Sequence, residues 1–168
     1  HDSESGILFA GDAVGVRLPD AGILRPATPP PDFDLDQALH SLDRFAERRP
    51  AGIALAHFGL VPDPGEILEE AHDILRRWAE VAEAAWREDR DIAAALDAEF
   101  AADLDGVDPA LREKLETLNG IHSNAAGFRR WLDQRAGAGH SHGHAHAHPH
   151  VHPTADPTTP PPGGPDAG

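Results

Sequence analysis

The chain has 168 residues, and its last stretch, from Ala136 to Gly168, is mostly His, Pro, Gly, Ala and Thr. That leaves about 135 residues to fold, enough for one core of modest size. Asp and Glu number 29 against 14 Lys and Arg, a formal net charge of −15. Such a balance repels phosphate backbones and anionic lipid and argues against nucleic acid or a membrane surface as the main partner. The absence of cysteine excludes disulfides, thiol catalysis and zinc thiolates, so any transition metal must be held by His, Asp and Glu.

No run of residues approaches the ~18–20 apolar positions that span a bilayer, and no basic start precedes an apolar segment. The expected location is the cytoplasm. The chain opens on His1 and has no Met. It therefore reads as the C-terminal part of a longer gene product.

In chain order, Ile7-Leu8-Phe9-Ala10 is a short apolar run behind Ser5-Gly6 and before Gly11-Asp12, which predicts a buried strand ending in a loop. Val14-Gly15-Val16 can continue extended. Prolines at 19, 26, 29, 30 and 31 exclude a helix and predict a surface-lining loop. From Asp34, a plausible N-cap, apolar residues recur at three and four through Leu35, Ala38, Leu39, Leu42 and Phe45. This predicts a helix that ends before Pro50. Ile53-Ala54-Leu55-Ala56 is a second strand, followed at once by His57-Phe58-Gly59. Strand, helix, strand is the alternation of an α/β layer, and Asp12 and His57 both fall just past strand ends, where such folds build sites.

After Pro64 one apolar stripe runs from Ile67 to Trp86 through Leu68, Ala71, Leu75 and Trp78, opposite a face rich in Glu and Asp, and predicts a long amphipathic helix. A second helical segment is expected from about Asp89 to Phe100. A third begins near Leu111 and is interrupted at Asn119-Gly120, and a last helix ends near Arg135. The stripe carrying Trp78 and Trp86, if left without a partner half, predicts self-association as a homo-oligomer.

Ile7 to Val14, then Arg25-Pro26-Ala27-Thr28-Pro29-Pro30-Pro31, then Leu55-Ala56-His57-Phe58-Gly59 resemble, in order and spacing, the C-terminal half of a metallo-β-lactamase-fold metallohydrolase. The resemblance covers residues 1–61. More loosely, 62–135 resemble the helical extension of one subgroup, and 136–168 form a His/Pro-rich tail expected to be disordered. It implies an α/β fold, here half of an αββα sandwich followed by helices. It also implies that Asp12 bridges two metal ions and that His57 ligates one of them, with two Zn(II) as the expected pair and Fe or Mn as alternatives. A metal pair of this kind activates water at neutral pH for attack on an ester, thioester, lactone or phosphoester. The partner is then a small-molecule substrate. The family's His-x-His-x-Asp-His motif, which precedes the aspartate, has no counterpart here, so the 168 residues by themselves are expected to be inactive.

Four further groups carry readings of their own. His122 and Asn124 lie at the helix interruption and are candidates for hydrogen bonding on the substrate side, or for capping and exposure. His40 and His72 sit among charged neighbours and read as solvated or rim residues. Arg17 and Arg25 flank the Pro-rich loop, where they suit an anionic substrate or the many carboxylates equally. Finally, His140, His142, His144, His146, His148, His150 and His152 occupy every second position. Neutral imidazoles in such an array bind zinc, nickel, copper or cobalt. The competing functional reading is therefore a non-catalytic metal-binding or interaction protein that acts through this tail.

Overall fold

The computed structural model describes residues 1–57 and 59–141, with the backbone alone for 139–141. Strand β1 (Ile7–Gly11) and strand β4 (Gly52–Leu55) pair in parallel, and β5 (Gly59–Val61) returns antiparallel along β4, giving a sheet of order β1-β4-β5. Strands β2 (Val16–Leu18) and β3 (Ile23–Arg25) form a separate antiparallel pair. Helix α1 (Leu35–Glu47) connects β3 to β4, and helices α2 (Pro64–Arg87), α3 (Ile92–Phe100), α4 (Pro109–Asn119) and α5 (Ile121–Ser141) follow the sheet. The fold is mixed α/β.

Local chemistry places the helix boundaries. The Asp34 carboxylate accepts the Gln37 N–H at 2.9 Å and opens α1, and Asp91 does the same for α3 through the Ala94 N–H at 2.8 Å. Both satisfy one of the donors a helix start leaves unpaired. Pro64 and Pro109 occupy first-turn positions, where a missing N–H costs nothing. Gly120 is extended, with ψ near 144°, and separates α4 from α5.

Alternation sets the two faces of the sheet. Leu8, Ala10, Ile53, Leu55 and Val61 are buried in one core with Leu42 of α1 and with Ile67, Leu75 and Trp78 of α2. On the other face, Phe9, Ala54 and Leu60 stand in register across the three strands. Phe9 is 69% exposed and Leu60 55%.

Several expectations are corrected. Pro19 to Pro31 is more than a surface-lining loop: Ile23–Arg25 carry no proline, pair with β2, and lead into a segment where Arg25 and Thr28 are buried. Gly15 permits this turn, since its φ is +105° and a Cβ there would lie 2.6 Å from the Arg25 carbonyl oxygen. The α2 stripe is covered within the chain by α1, α3 and α5, so the apolar surface left open lies on the sheet instead. Trp78 is buried and stacks on Phe100 at 5.1 Å, whereas Trp86 is half-buried and donates its Nε1–H to Asp133 at 2.8 Å. The last helix passes Arg135 and continues to Ser141, because extending an existing helix adds one hydrogen bond per residue without a new nucleation step. His140 lies in this last turn. The other tail histidines, His142 to His152, lie outside the described residues. Among the described residues no helix is long and apolar enough to cross a membrane.

Candidate functional site

Parallel neighbours bring their C-terminal ends to one edge, and the two residues singled out in sequence meet there. β1 ends one residue before Asp12 and β4 ends two before His57. A register shift between Phe9 and Gly11 aligns Gly11 with Leu55, and the Ala56 N–H donates to the Gly11 carbonyl at 3.2 Å, which ties the two turns together. His57 Nε2 stands 3.8 Å from Asp12 Oδ1, with side chains 38% and 57% exposed.

That separation exceeds an ordinary hydrogen bond. It is close to the roughly 3.3 Å between two ligands of one tetrahedral zinc with bonds of about 2.0–2.1 Å. An oxygen and an imidazole nitrogen, half open to solvent at a strand edge, are donors of the kinds that zinc, iron and manganese accept. They do not complete a metal site. Among the described residues there is no group of three or more His, Cys, Asp or Glu that could hold a metal ion.

Beside Asp12 opens a cleft of about 510 Å³. The Asp12 turn forms one side; Val16, Ala27 and Pro29 contribute apolar surface; and the α4–α5 corner, through Leu118, His122 and Ser123, forms the other side. The corner is tied to the Pro-rich segment by a buried polar network. Arg25 donates to Glu116 Oε1 and, at 3.0 Å, to the Asn119 carbonyl, while its guanidinium lies 5.8 Å from the Trp78 ring centroid. Asn119 Nδ2 donates to the carbonyls of Arg25 and Pro26. Asn124 Nδ2 donates to Asn119 Oδ1 at 2.8 Å, and Asn124 Oδ1 accepts from the Thr28 N–H at 2.7 Å. Glu116 Oε2 accepts the Ile121 N–H at the start of α5.

This network redistributes the candidates. His122 is exposed and lines the cleft. Asn124 is fully buried and engaged, so it is not a substrate-side group but part of the frame behind the cleft. Arg25, 4% exposed, is committed to Glu116 and so not available to an anionic substrate. Arg17 is half-buried, and its Nε has no hydrogen-bond partner among the described residues. It lies near Glu70, whose carboxyl burial pushes up from its ordinary range against the attraction of Arg17. His40 is exposed. His72 Nε2 is 3.0 Å from Asp43 Oδ1, and His72 Nδ1 accepts from Arg76 Nε at 3.1 Å. It borders a groove between α1 and α2 near Pro50 and Pro64, at the opposite end of β4 from His57.

The sequence reading missed the apolar cleft wall and the buried polar frame. The one available signal was Arg25 at the end of the apolar run Ile23-Leu24, since a charge so placed needs a partner. Comparison of the chain with models of known protein families, with curated proteins and with solved structures finds no match in any of the three.

Proposed function

We propose that this chain supplies Asp12 as the bridging aspartate and His57 as a terminal histidine of a dinuclear metal site, in a hydrolase of the metallo-β-lactamase type. The observation that carries this reading is the 3.8 Å approach of Asp12 Oδ1 and His57 Nε2 at the shared edge of two parallel strands. The open apolar face with Phe9 and Leu60 adds support, because in an αββα sandwich a second sheet covers the face opposite the helices. When bound, two Zn(II), or Fe or Mn, would supply a water activated at neutral pH.

Within this reading, Asp12 and His57 would help hold the metal ions, the Asp12 carboxylate would offset part of their charge, and the adjacent cleft would receive the substrate. The reaction class is hydrolysis of an ester, thioester, lactone or phosphoester. Water adds across the bond, the acid is released, and the proton goes to the leaving alcohol or thiol. The remaining ligands come, in the family, from segments that precede the aspartate.

Asp12→Ala in the full-length gene product is expected to remove about one metal equivalent per chain, read by elemental mass spectrometry, together with nearly all hydrolysis of activated esters and phosphoesters. A variant with unchanged metal content and turnover rejects the reading.

A further inference from the structure

A second hollow lies between α1 and α2, at the opposite end of β4 from His57, and holds about 700 Å³, within the usual range of small-molecule sites. Asp43 meets His72 across it. The two helices run antiparallel, so Arg49 and Pro50, where α1 ends, come beside Pro64 and Gly65, where α2 starts. Leu42 and Leu68 are buried beneath the opening and, with Ala46, give it an apolar floor. Helices satisfy most of their backbone groups internally, so recognition here falls to side chains.

Charge is segregated along this groove. Asp43 and Asp73 stand at one end, Arg49 at the other, and Glu69 between them on α2; all four are exposed. Asp43 engages His72 Nε2 through Oδ1, and His72 Nδ1 accepts from Arg76, so both imidazole nitrogens are occupied and the ring holds the Asp43 carboxylate in place. The side chains of Glu69, Asp73 and Arg49 make no hydrogen bond or ion pair among the described residues. Arg49 also sits at φ +45°, left-handed backbone in which helix ends favour glycine.

We propose that the groove binds a short peptide, about three residues long with apolar side chains and both termini free, its ammonium at Asp43 and Asp73 and its carboxylate at Arg49. Along α1 the rise from Asp43 to Arg49 is about 9 Å, and along α2 from Gly65 to Asp73 about 12 Å. Three extended residues span about 10 Å. A bare methylene chain of that length would leave most of the volume unfilled, whereas apolar side chains fill it and cover the floor. The amide groups of the peptide face the open side and keep their water. Three carboxylates against one guanidinium make the ammonium the stronger anchor and disfavour a peptide whose amino terminus is blocked. Neither Asp12 nor His57 takes part.

Titration calorimetry of the full chain with trileucine tests this, and the expected result is saturable binding of one peptide per chain. N-acetyl-trileucine, an anion, should bind about three- to tenfold more weakly, and trileucine amide, which keeps the ammonium, about two- to fivefold more weakly. Dileucine, too short to bridge the two poles, should lose as much as a peptide with one terminus blocked. Two variants remove a pole without threatening the fold. Arg49→Gly deletes the guanidinium and suits the left-handed backbone, and Asp73→Asn deletes a charge at constant size on an exposed position.

Crossing the variants with the blocked peptides reads which terminus meets which pole. Arg49→Gly should weaken trileucine about two- to fivefold and should not weaken trileucine amide. Asp73→Asn should weaken trileucine and its amide alike and should not weaken N-acetyl-trileucine. Asp12→Ala should leave all of these affinities unchanged, so the loss of hydrolysis and the loss of peptide binding are read separately. The peptide assignment is overturned if trileucine does not bind at millimolar concentration, if N-acetyl-trileucine binds as tightly, or if each variant weakens free and blocked peptides equally.

Discussion

Both ends of the Asn124 carboxamide are in use: Oδ1 accepts from the Thr28 N–H and hydroxyl, and Nδ2 donates to Asn119. Replacing it with Leu, of similar size, leaves a buried N–H and a buried carbonyl oxygen without partners. Asn124→Leu is therefore expected to cost about 2–4 kcal/mol of stability, measured as a lower urea midpoint with an unchanged slope. A shift of only a few tenths would show that water replaces the lost bonds. At this scale the sequence was informative where a residue's placement follows from its immediate neighbours. Asp12 and His57 each follow an apolar run, and two such runs joined through one helix lie parallel, which brings the residues after them to one edge. Asn124 and Arg25 were opaque for the opposite reason. Their partners lie 96 and 91 positions away along the chain, and nothing local to either residue announces them.

Helix α5 crosses directly over the Pro-rich segment. A Cβ at Gly127 would lie 1.6 Å from the Thr28 carbonyl oxygen, so only glycine lets the helix backbone come this close. Phe128, next along, packs edge to face on Phe33 at 4.9 Å and anchors the crossing. Gly127→Ala is expected to lift α5 away from Thr28 and destabilise the fold by about 2–4 kcal/mol, even though alanine is the better helix former. A variant as stable as the wild type, or more so, in chemical denaturation would mean that α5 can shift away from Thr28 without cost. Elements with a long period were readable: α1 begins behind the Asp34 cap and ends before Pro50, and α2 begins at Pro64. β5 was not, because Gly59–Val61 is too short for alternation to register and exists only through its pairing with β4. The stretch after Arg135 was misjudged because Ala and Gly carry no amphipathic pattern, while a helix already formed extends through them.

Across the whole molecule, charge sets the balance. Thirteen of the fourteen basic residues are arginine, and exposed pairs such as Arg77 with Glu99 at 2.8 Å are worth about 0–1 kcal/mol each. They do not offset a net charge of −15. Raising NaCl from 0.1 to 1 M shortens the screening length from about 10 to 3 Å, which weakens the general repulsion more than it weakens close pairs. The melting temperature is expected to rise by roughly 3–8 °C. A flat or falling response would show that the ion pairs, and not the excess charge, dominate the electrostatics of the fold.

The frame behind the cleft also bears on how the protein would choose among ligands. Arg25, Thr28, Asn119 and Asn124 are all buried, and the bonds among them join the Pro-rich segment to both sides of the α4–α5 break. A fully satisfied polar network of this kind resists small displacements, because any shift strands a donor or acceptor away from water. The far wall of the cleft therefore behaves as a fixed mould. Compounds of different size would be sorted by how well they fill it as it stands, and a larger one would have to leave part of itself in solvent.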